Sequence, residues 1–345
     1  MIEEHLLQQL ADQKRKVDFN TYDISVKELI SMVSDKLIDI APEYQRQFRW
    51  KEDRQSILVE SIFLGIPIPS LFMATNQDGS WELIDGLQRL SSIVHFAGNE
   101  RELNIMNMND KLVLQQLQKL TQFNEKTFDA LPKSAQLDFL LKPIKVTTLS
   151  DKSDKNVRFD LFERLNTGGI KLTDQEIRSC IFRGKFNDTL KELARNKSFM
   201  KCVKLSREHT SDGTKEELVL RYFAFYHRYK EFDHSVIDFL NNYMRDASVS
   251  FNYEFNVELF ENTFENLAKI PKGITRGRAA TPINLFEAVA VGAALALHKK
   301  GKIKTAGAST WIASDALKKL TTGATNSKKM VAGRIEFCYA KFAGN

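Results

Sequence analysis

The spacing of apolar residues changes character part-way along the chain. Up to about residue 150, short runs of β-formers interrupt helical stretches; beyond it the pattern is helical throughout. Residues 21–24 and 36–40 read as short strands. Between them a helix is expected over 26–35, opened by the capping box Ser25-Val-Lys-Glu28. Residues 51–64 show the 3.6-residue period of an amphipathic helix, with Ile57, Leu58, Ile62 and Leu64 on or near one face and Gly65 ending it. Pro67 and Pro69 impose an extended connection. Residues 71–75 and 80–84 form a predicted hairpin around Asn76-Gln-Asp-Gly79. Its second strand runs straight into a helical pattern over 90–96.

Residues 100–142 read as mainly helical, and 143–149 as a further strand, at an edge or returning to the sheet. A helical stretch then leads to the loop Asn166-Thr-Gly-Gly169, and the box Thr173-Asp-Gln-Glu176 opens the next helix. Helical patterns follow over 216–229, 235–244, 257–268, 283–298 and 327–342. Residues 1–17 look like a polar helix. The expected architecture is α+β over residues 1–150 and all-helical over 151–345.

Composition adds limits. At 43% hydrophobic and 27% charged, the chain suits a soluble globular protein. No apolar run reaches the roughly 18–20 residues that span a bilayer, and the first twenty residues lack a signal-peptide core. A cytoplasmic protein with no membrane partner is the expectation. Cys180, Cys202 and Cys338 show no paired spacing and read as reduced and structural; the six histidines are scattered. A formal charge of +6 permits nucleic-acid contact without requiring it.

Three short stretches hold candidate chemistry. In Ile84-Asp-Gly-Leu-Gln-Arg89, Gly86 lets the backbone turn with positive φ. The helix start that follows favours an anion, and Arg89 can grip phosphate oxygens in bidentate fashion. Asp85 can cap the helix, or hold a metal ion or a water; the plain alternative is a capped turn with a solvated arginine. In Tyr44-Gln-Arg-Gln-Phe-Arg-Trp50, the aromatics read as core anchors, while Arg46 and Arg49 are candidate phosphate contacts. Phe162-Glu-Arg-Leu-Asn-Thr-Gly-Gly169 is a helix exit, or a loop that closes over a ligand through Arg164, Asn166, Gly168 and Gly169. Neither a Walker sequence nor a Rossmann glycine fingerprint occurs. The loops over 271–281 and 322–329 are basic and read as plain loops or as nucleic-acid contacts.

In this order, "YQRQFRW", "GIPIP", "LIDGLQRL" and "LFERLNTGGIKLTDQEIRS" resemble the N-terminal domain of GmrSD-type restriction endonucleases, over roughly residues 20–185. The resemblance implies a ParB/sulfiredoxin-like fold for the first domain. It also implies a nucleoside triphosphate with Mg²⁺ at the corner formed by Asp85, Gly86, Gln88 and Arg89, with Asp85 on the metal and Asp85, Gln88 and Arg89 catalytic. Arg46, Arg49, Gly86, Arg164, Asn166, Gly168 and Gly169 would bind the nucleotide. A DNA-linked defence role with a partner nuclease or effector follows, and a homo-oligomer is possible. Two departures stand out. Leu87 replaces the first Gln of the family's Asp-Gly-Gln-Gln-Arg, and residues 186–345 lack the His-Asn-His nuclease motif. Three readings are therefore open: an NTP-hydrolysing sensor or regulatory subunit; a non-enzymatic ParB-like DNA-binding or toxin-restraining partner; and a metal-dependent nicking nuclease using Asp85 with Glu82 or Glu163.

Overall fold

A computed structural model describes residues 6–7, 18–40, 50–76, 78–150, 159, 161, 164–165, 173–206, 212–276, 280–323 and 325–344. It divides into two compact units, Met1–Lys171 and Leu172–Asn345.

The first unit is a five-stranded mixed sheet with helices. Strands β1 (Phe19–Ser25), β2 (Ile38–Asp39), β3 (Leu71–Thr75), β4 (Trp81–Asp85) and β5 (Pro143–Leu149) lie in the order β1-β5-β3-β4-β2. β5 pairs antiparallel with β1 and parallel with β3. It is therefore an interior strand that returns between two others, and the edge alternative is corrected. Its Ile144, Val146, Thr148 and Leu149 are buried, as a strand covered by neighbours on both sides requires. The β3–β4 hairpin forms as expected, with Thr75 opposite Trp81.

Helix α1 (Val26–Ser34) begins at the Ser25 cap, whose hydroxyl accepts from Glu28 N at 3.2 Å. Its Val26, Leu29, Ile30 and Val33 form one buried stripe. In α2 (Glu52–Phe63), Leu58 and Ile62 are buried, but Ile57 and Leu64 are exposed. The inner face is completed instead by Gln55, Ser56 and Val59, because two of its positions serve polar contacts rather than packing. Helices α3 (Leu87–Ala97), α4 (Glu100–Ile105) and α5 (Lys133–Leu141) follow.

The mainly helical expectation for 100–142 fails between α4 and α5. Residues 106–132 hold only two 3₁₀ turns. Positive φ at Asn107, Gln116 and Glu125 breaks the helix, and buried Leu112, Leu114 and Leu117 peg the segment to the core. Buried Glu60 of α2 accepts from the backbone N–H of both Lys119 and Leu120 at 2.8 Å. An edge-to-face cluster of Phe63, Phe96, Phe128 and Phe139 closes this core.

The second unit is all helical among its described residues. It comprises α6 (Asp174–Ile181), α7 (Lys185–Leu193), α8 (Lys197–Cys202), α9 (Thr214–Arg228), α10 (Val236–Val249), α11 (Tyr253–Leu267), α12 (Ile283–Lys300), α13 (Ala308–Ile312), α14 (Asp315–Thr321) and α15 (Lys328–Ala343). The capping box of Thr173 and Glu176 forms with both its hydrogen bonds. The Ala- and Gly-rich α12 is buried almost throughout because it packs closely on α15. A Cβ at Gly292 would lie 2.6 Å from Cys338 Cβ and 2.8 Å from Tyr339 N. Among the described residues no helix is long and apolar enough to cross a membrane.

A ladder of ion pairs runs through this unit. Arg178 Nη2 meets Glu217 Oε2 at 2.6 Å, Arg221 Nη2 meets Glu217 Oε1 at 2.7 Å, and Arg221 Nη1 meets Glu287 Oε1 at 2.7 Å. Glu287 also pairs with Arg334, and both side chains are fully buried. The three cysteines are buried thiols outside any disulfide; burial pushes the Cys202 thiol up to about 12, so it stays protonated and inert.

Candidate functional site at the strand-to-helix corner

The corner between β4 and α3 is built by Gly86. Its φ of +108° is open to glycine and strained for other residues, and it occupies the N-cap position of α3 without any side-chain cap. A Cβ here would lie 2.4 Å from Leu71 Cδ2 and 3.2 Å from Arg89 Nη2. The glycine thus lets β3 and an arginine close in on the helix start.

Arg89 folds back over this corner. Its Nη2 donates to Asp85 Oδ2 at 2.6 Å and to the Ser70 carbonyl at 3.2 Å. Its Nε is buried with no hydrogen-bond partner among the described residues. The Arg89 side chain is 15% exposed and that of Asp85 34%. Asp85 is one residue too early to cap the helix, and its carboxylate goes to Arg89 instead.

Gln88 reaches the other way. Its Oε1 accepts from the backbone N of Trp50 at 3.1 Å, so the last residue of "YQRQFRW" is tied to the first turn of α3. The Trp50 carbonyl accepts from Gln55 Nε2 at 2.9 Å, and the Arg54 guanidinium lies 4.7 Å above the indole centroid. Gln55 Oε1 is 2.8 Å from His95 Nδ1, which links α2 to α3. Burial holds His95 below the ordinary imidazole range, against the upward pull of the Asp110 carbonyl and the Glu52 and Asp110 charges.

Trp50 and Gln88, 38 residues apart, therefore meet at one corner. Arg46 and Arg49 lie outside the described residues, as do Asn166, Gly168 and Gly169. Arg164 is helical and exposed. Leu87, where the family has a glutamine, is buried. Sequence reasoning missed Gln55, His95 and the Ser70 carbonyl. The available signal was Gln55, a polar residue on the inner side of an amphipathic helix.

Glu82 is buried on β4 opposite Ala74, and the bulge between the Leu83–Met73 and Asp85–Phe72 pairs sets it on the same face of the sheet as Asp85. Glu163 lies outside the described residues. Among the described residues no cluster of three His, Cys, Asp or Glu side chains could hold a metal. Two of the scattered histidines have tyrosine partners: His227 with Tyr243 at 2.7 Å, and His298 with Tyr226 at 2.6 Å. The helical unit also has a concavity of about 590 Å³ lined by Phe199, Met200, Val203 and Leu205 with Lys204 and Lys215; its described lining offers amines but no carboxylate.

No curated protein matches the chain. Among solved structures, a Pnob8-like ParB-N domain is similar at 13% identity and a TM-score of 0.24, with 94% of this chain and 96% of that one covered. Residues 26–183 match the GmrSD restriction endonuclease N-terminal domain. That match opens at the first residue of α1, takes in the Gly86 corner and runs past α6. Over residues 26–183 the chain is accordingly similar to the GmrSD restriction endonuclease N-terminal domain.

Proposed function

We propose that this chain is an NTP-binding, NTP-hydrolysing sensor or regulatory subunit of a bacterial restriction-type defence system, with the β4–α3 corner as its phosphate seat. One observation carries the reading. Arg89 is drawn over the open start of α3 with its Nε buried and lacking an acceptor among the described residues. A phosphate oxygen is an acceptor of the right charge for that position, and the helix start and Gly86 backbone add partial positive charge beside it.

The residues suit a nucleotide with Mg²⁺. Arg89 and the first turn of α3 would hold phosphate, and Asp85 would share a metal ion with phosphate oxygens and water, the usual arrangement for Mg²⁺. When bound, that ion would neutralise developing charge on the phosphate. Asp85 meanwhile fixes the Arg89 guanidinium in place. Gln88, whose Oε1 is occupied by Trp50 N–H, supports the site by tying Trp50 to the corner. Arg46, Arg49, Arg164 and the Asn166-Gly168-Gly169 loop complete the proposal as nucleotide contacts. DNA and a partner nuclease are the expected interaction partners.

A second reading is favoured by Leu87. An apolar, buried residue replaces the family's glutamine, and a site that binds nucleotide without turning it over would regulate by occupancy alone. Phosphate release from ATP, GTP, UTP and CTP with Mg²⁺, measured beside calorimetric binding for wild type and Arg89→Ala, separates the two. Turnover lost in the variant supports the NTPase. Binding without turnover, lost in the variant, supports the occupancy switch. Arg89→Ala with unchanged binding and turnover would remove the corner from the function.

A further inference from the structure

The positive charge of this chain is not spread over it. Residues 268–345 contain 14 Lys and Arg against 3 Asp and Glu, a net +11, whereas the whole chain is +6. Everything before residue 268 is therefore net −5. Of the three acids, Glu287 is fully buried and already shared by Arg221 and Arg334. Only Asp315 and Glu336 are left to answer the surface lysines.

The structure gathers part of this charge onto one surface. Arg276 donates through Nε to the Ile312 carbonyl at 3.4 Å and through Nη2 to Thr321 Oγ1. Ser309 Oγ donates to the Pro271 carbonyl at 3.3 Å. The turn bearing Lys272 and Arg276 is thus fastened to α13 and α14. The last turn of α14 carries exposed Lys318 and Lys319. Asn284 Nδ2 donates to Thr325 Oγ1 at 2.6 Å, anchoring the entry to α15, whose first two residues are exposed Lys328 and Lys329. The described residues 271–276 and 325–329 of the two basic loops are thus held beside α13, α14 and α12. Among the described residues no carboxylate pairs with Lys272, Lys318, Lys319, Lys328 or Lys329.

We infer that this face, formed by α14, the start of α15 and the 271–276 turn, docks the phosphate backbone of duplex DNA. Its cations are mostly lysines, which act as point charges and read phosphate rather than base edges. The exposed polar residues between them, Thr322, Asn326 and Ser327, suit phosphate oxygens as donors. No exposed aromatic stands among these residues, so a stacking platform for single strands is not on offer. The choice of DNA over another phosphate polymer rests on the restriction reading above; the basic face itself does not. The face lies outside residues 26–183 and adds a DNA contact that the family match does not cover.

The test is fluorescence-anisotropy titration of a labelled DNA duplex over a range of salt, with the full chain and no nucleotide. The variant is Lys318→Gln/Lys319→Gln/Lys328→Gln/Lys329→Gln. A charge-matched control replaces exposed Lys27, Lys126, Lys133 and Lys145 with Gln. Circular dichroism checks that each chain is folded. The expected result is that the slope of log K against log[salt] falls in magnitude by about 4 in the variant, with affinity down at least about ten-fold, and stays near wild type in the control. Equal losses in both would show bulk charge rather than a face. No binding by wild type, or binding to phosphatidylcholine–phosphatidylserine vesicles but not to DNA, would also overturn the assignment. Arg89→Ala keeps these two proposals apart: it should leave DNA affinity unchanged while abolishing nucleotide binding.

Discussion

Gly86 meets two separate demands, and a neighbouring glycine meets only one of them. Both Gly86 and Gly79 have left-handed backbones, at φ +108° and +84°. A Cβ at Gly79 would find nothing within 4 Å, whereas one at Gly86 would strike Leu71 Cδ2 and crowd Arg89 Nη2. Gly79→Ala should therefore cost about 1 kcal/mol of backbone strain. Gly86→Ala should cost about 2–4 kcal/mol, strain and overpacking together. Urea unfolding of the two variants measures the difference; equal losses would mean that Leu71 and Arg89 yield freely. The residue types at this corner were legible in "IDGLQR", but their partners were not. Asp85 read equally as a cap or a ligand. Only the backbone shows that Gly86 holds the cap position, which leaves Asp85 a residue too early and hands its carboxylate to Arg89.

Among the elements, α2 and α3 are joined by a contact that depends on a proton. His95 on α3 meets Gln55 on α2 at 2.8 Å, and burial lowers its pKa. A depressed folded-state pKa means that the unfolded chain takes up a proton first as the pH falls. This site's stability is thus complete above the ordinary histidine value of about 6.5 and is lost progressively as the pH falls toward the folded-state value. His95→Gln removes the titration and can keep a polar contact to Gln55. Comparing urea midpoints at neutral and mildly acidic pH, wild type should lose more stability on acidification than the variant. His227, also lowered by burial, is common to both and cancels. Parallel loss would clear His95. Elements with a local signature were readable from sequence: the boxes at Ser25 and Thr173 cap their helices, and the 71–75 and 81–85 hairpin pairs as its turn residues imply. The interior place of β5 was not readable, because pairing with β1 and β3 joins residues far apart in the chain. Nor was the loss of helix over 106–132, where Leu112, Leu114 and Leu117 are placed by burial rather than by period.

At the scale of the whole molecule, the helical unit is held by charge as well as by packing. Arg178, Glu217, Arg221, Glu287 and Arg334 form one ladder; three of its links join residues 39, 66 and 47 apart, and local spacing announces only the fourth, Glu217–Arg221, four apart on α9. Three arginines face two glutamates. Burial pulls the Arg178 pKa down, while at Arg221 the Glu287 and Glu217 carboxylates outweigh burial and raise it. Glu287 is the member with most at stake: it is wholly buried and serves two guanidiniums. Glu287→Gln would leave Arg334 buried beside a neutral amide, and breaking a buried pair from one side costs about 3–5 kcal/mol. Arg334→Met in the same chain removes the stranded charge and fills the space with apolar atoms, while Arg221 keeps Glu217. Such a double replacement can be close to neutral. The double variant should therefore be more stable than Glu287→Gln alone, recovering more than half of its loss in urea unfolding. If the ladder instead contributes independent favourable bonds, the second substitution will add to the first and the double variant will be the weaker of the two. The comparison decides whether this unit depends on the strength of its ion pairs or on leaving none of its buried charges without a partner.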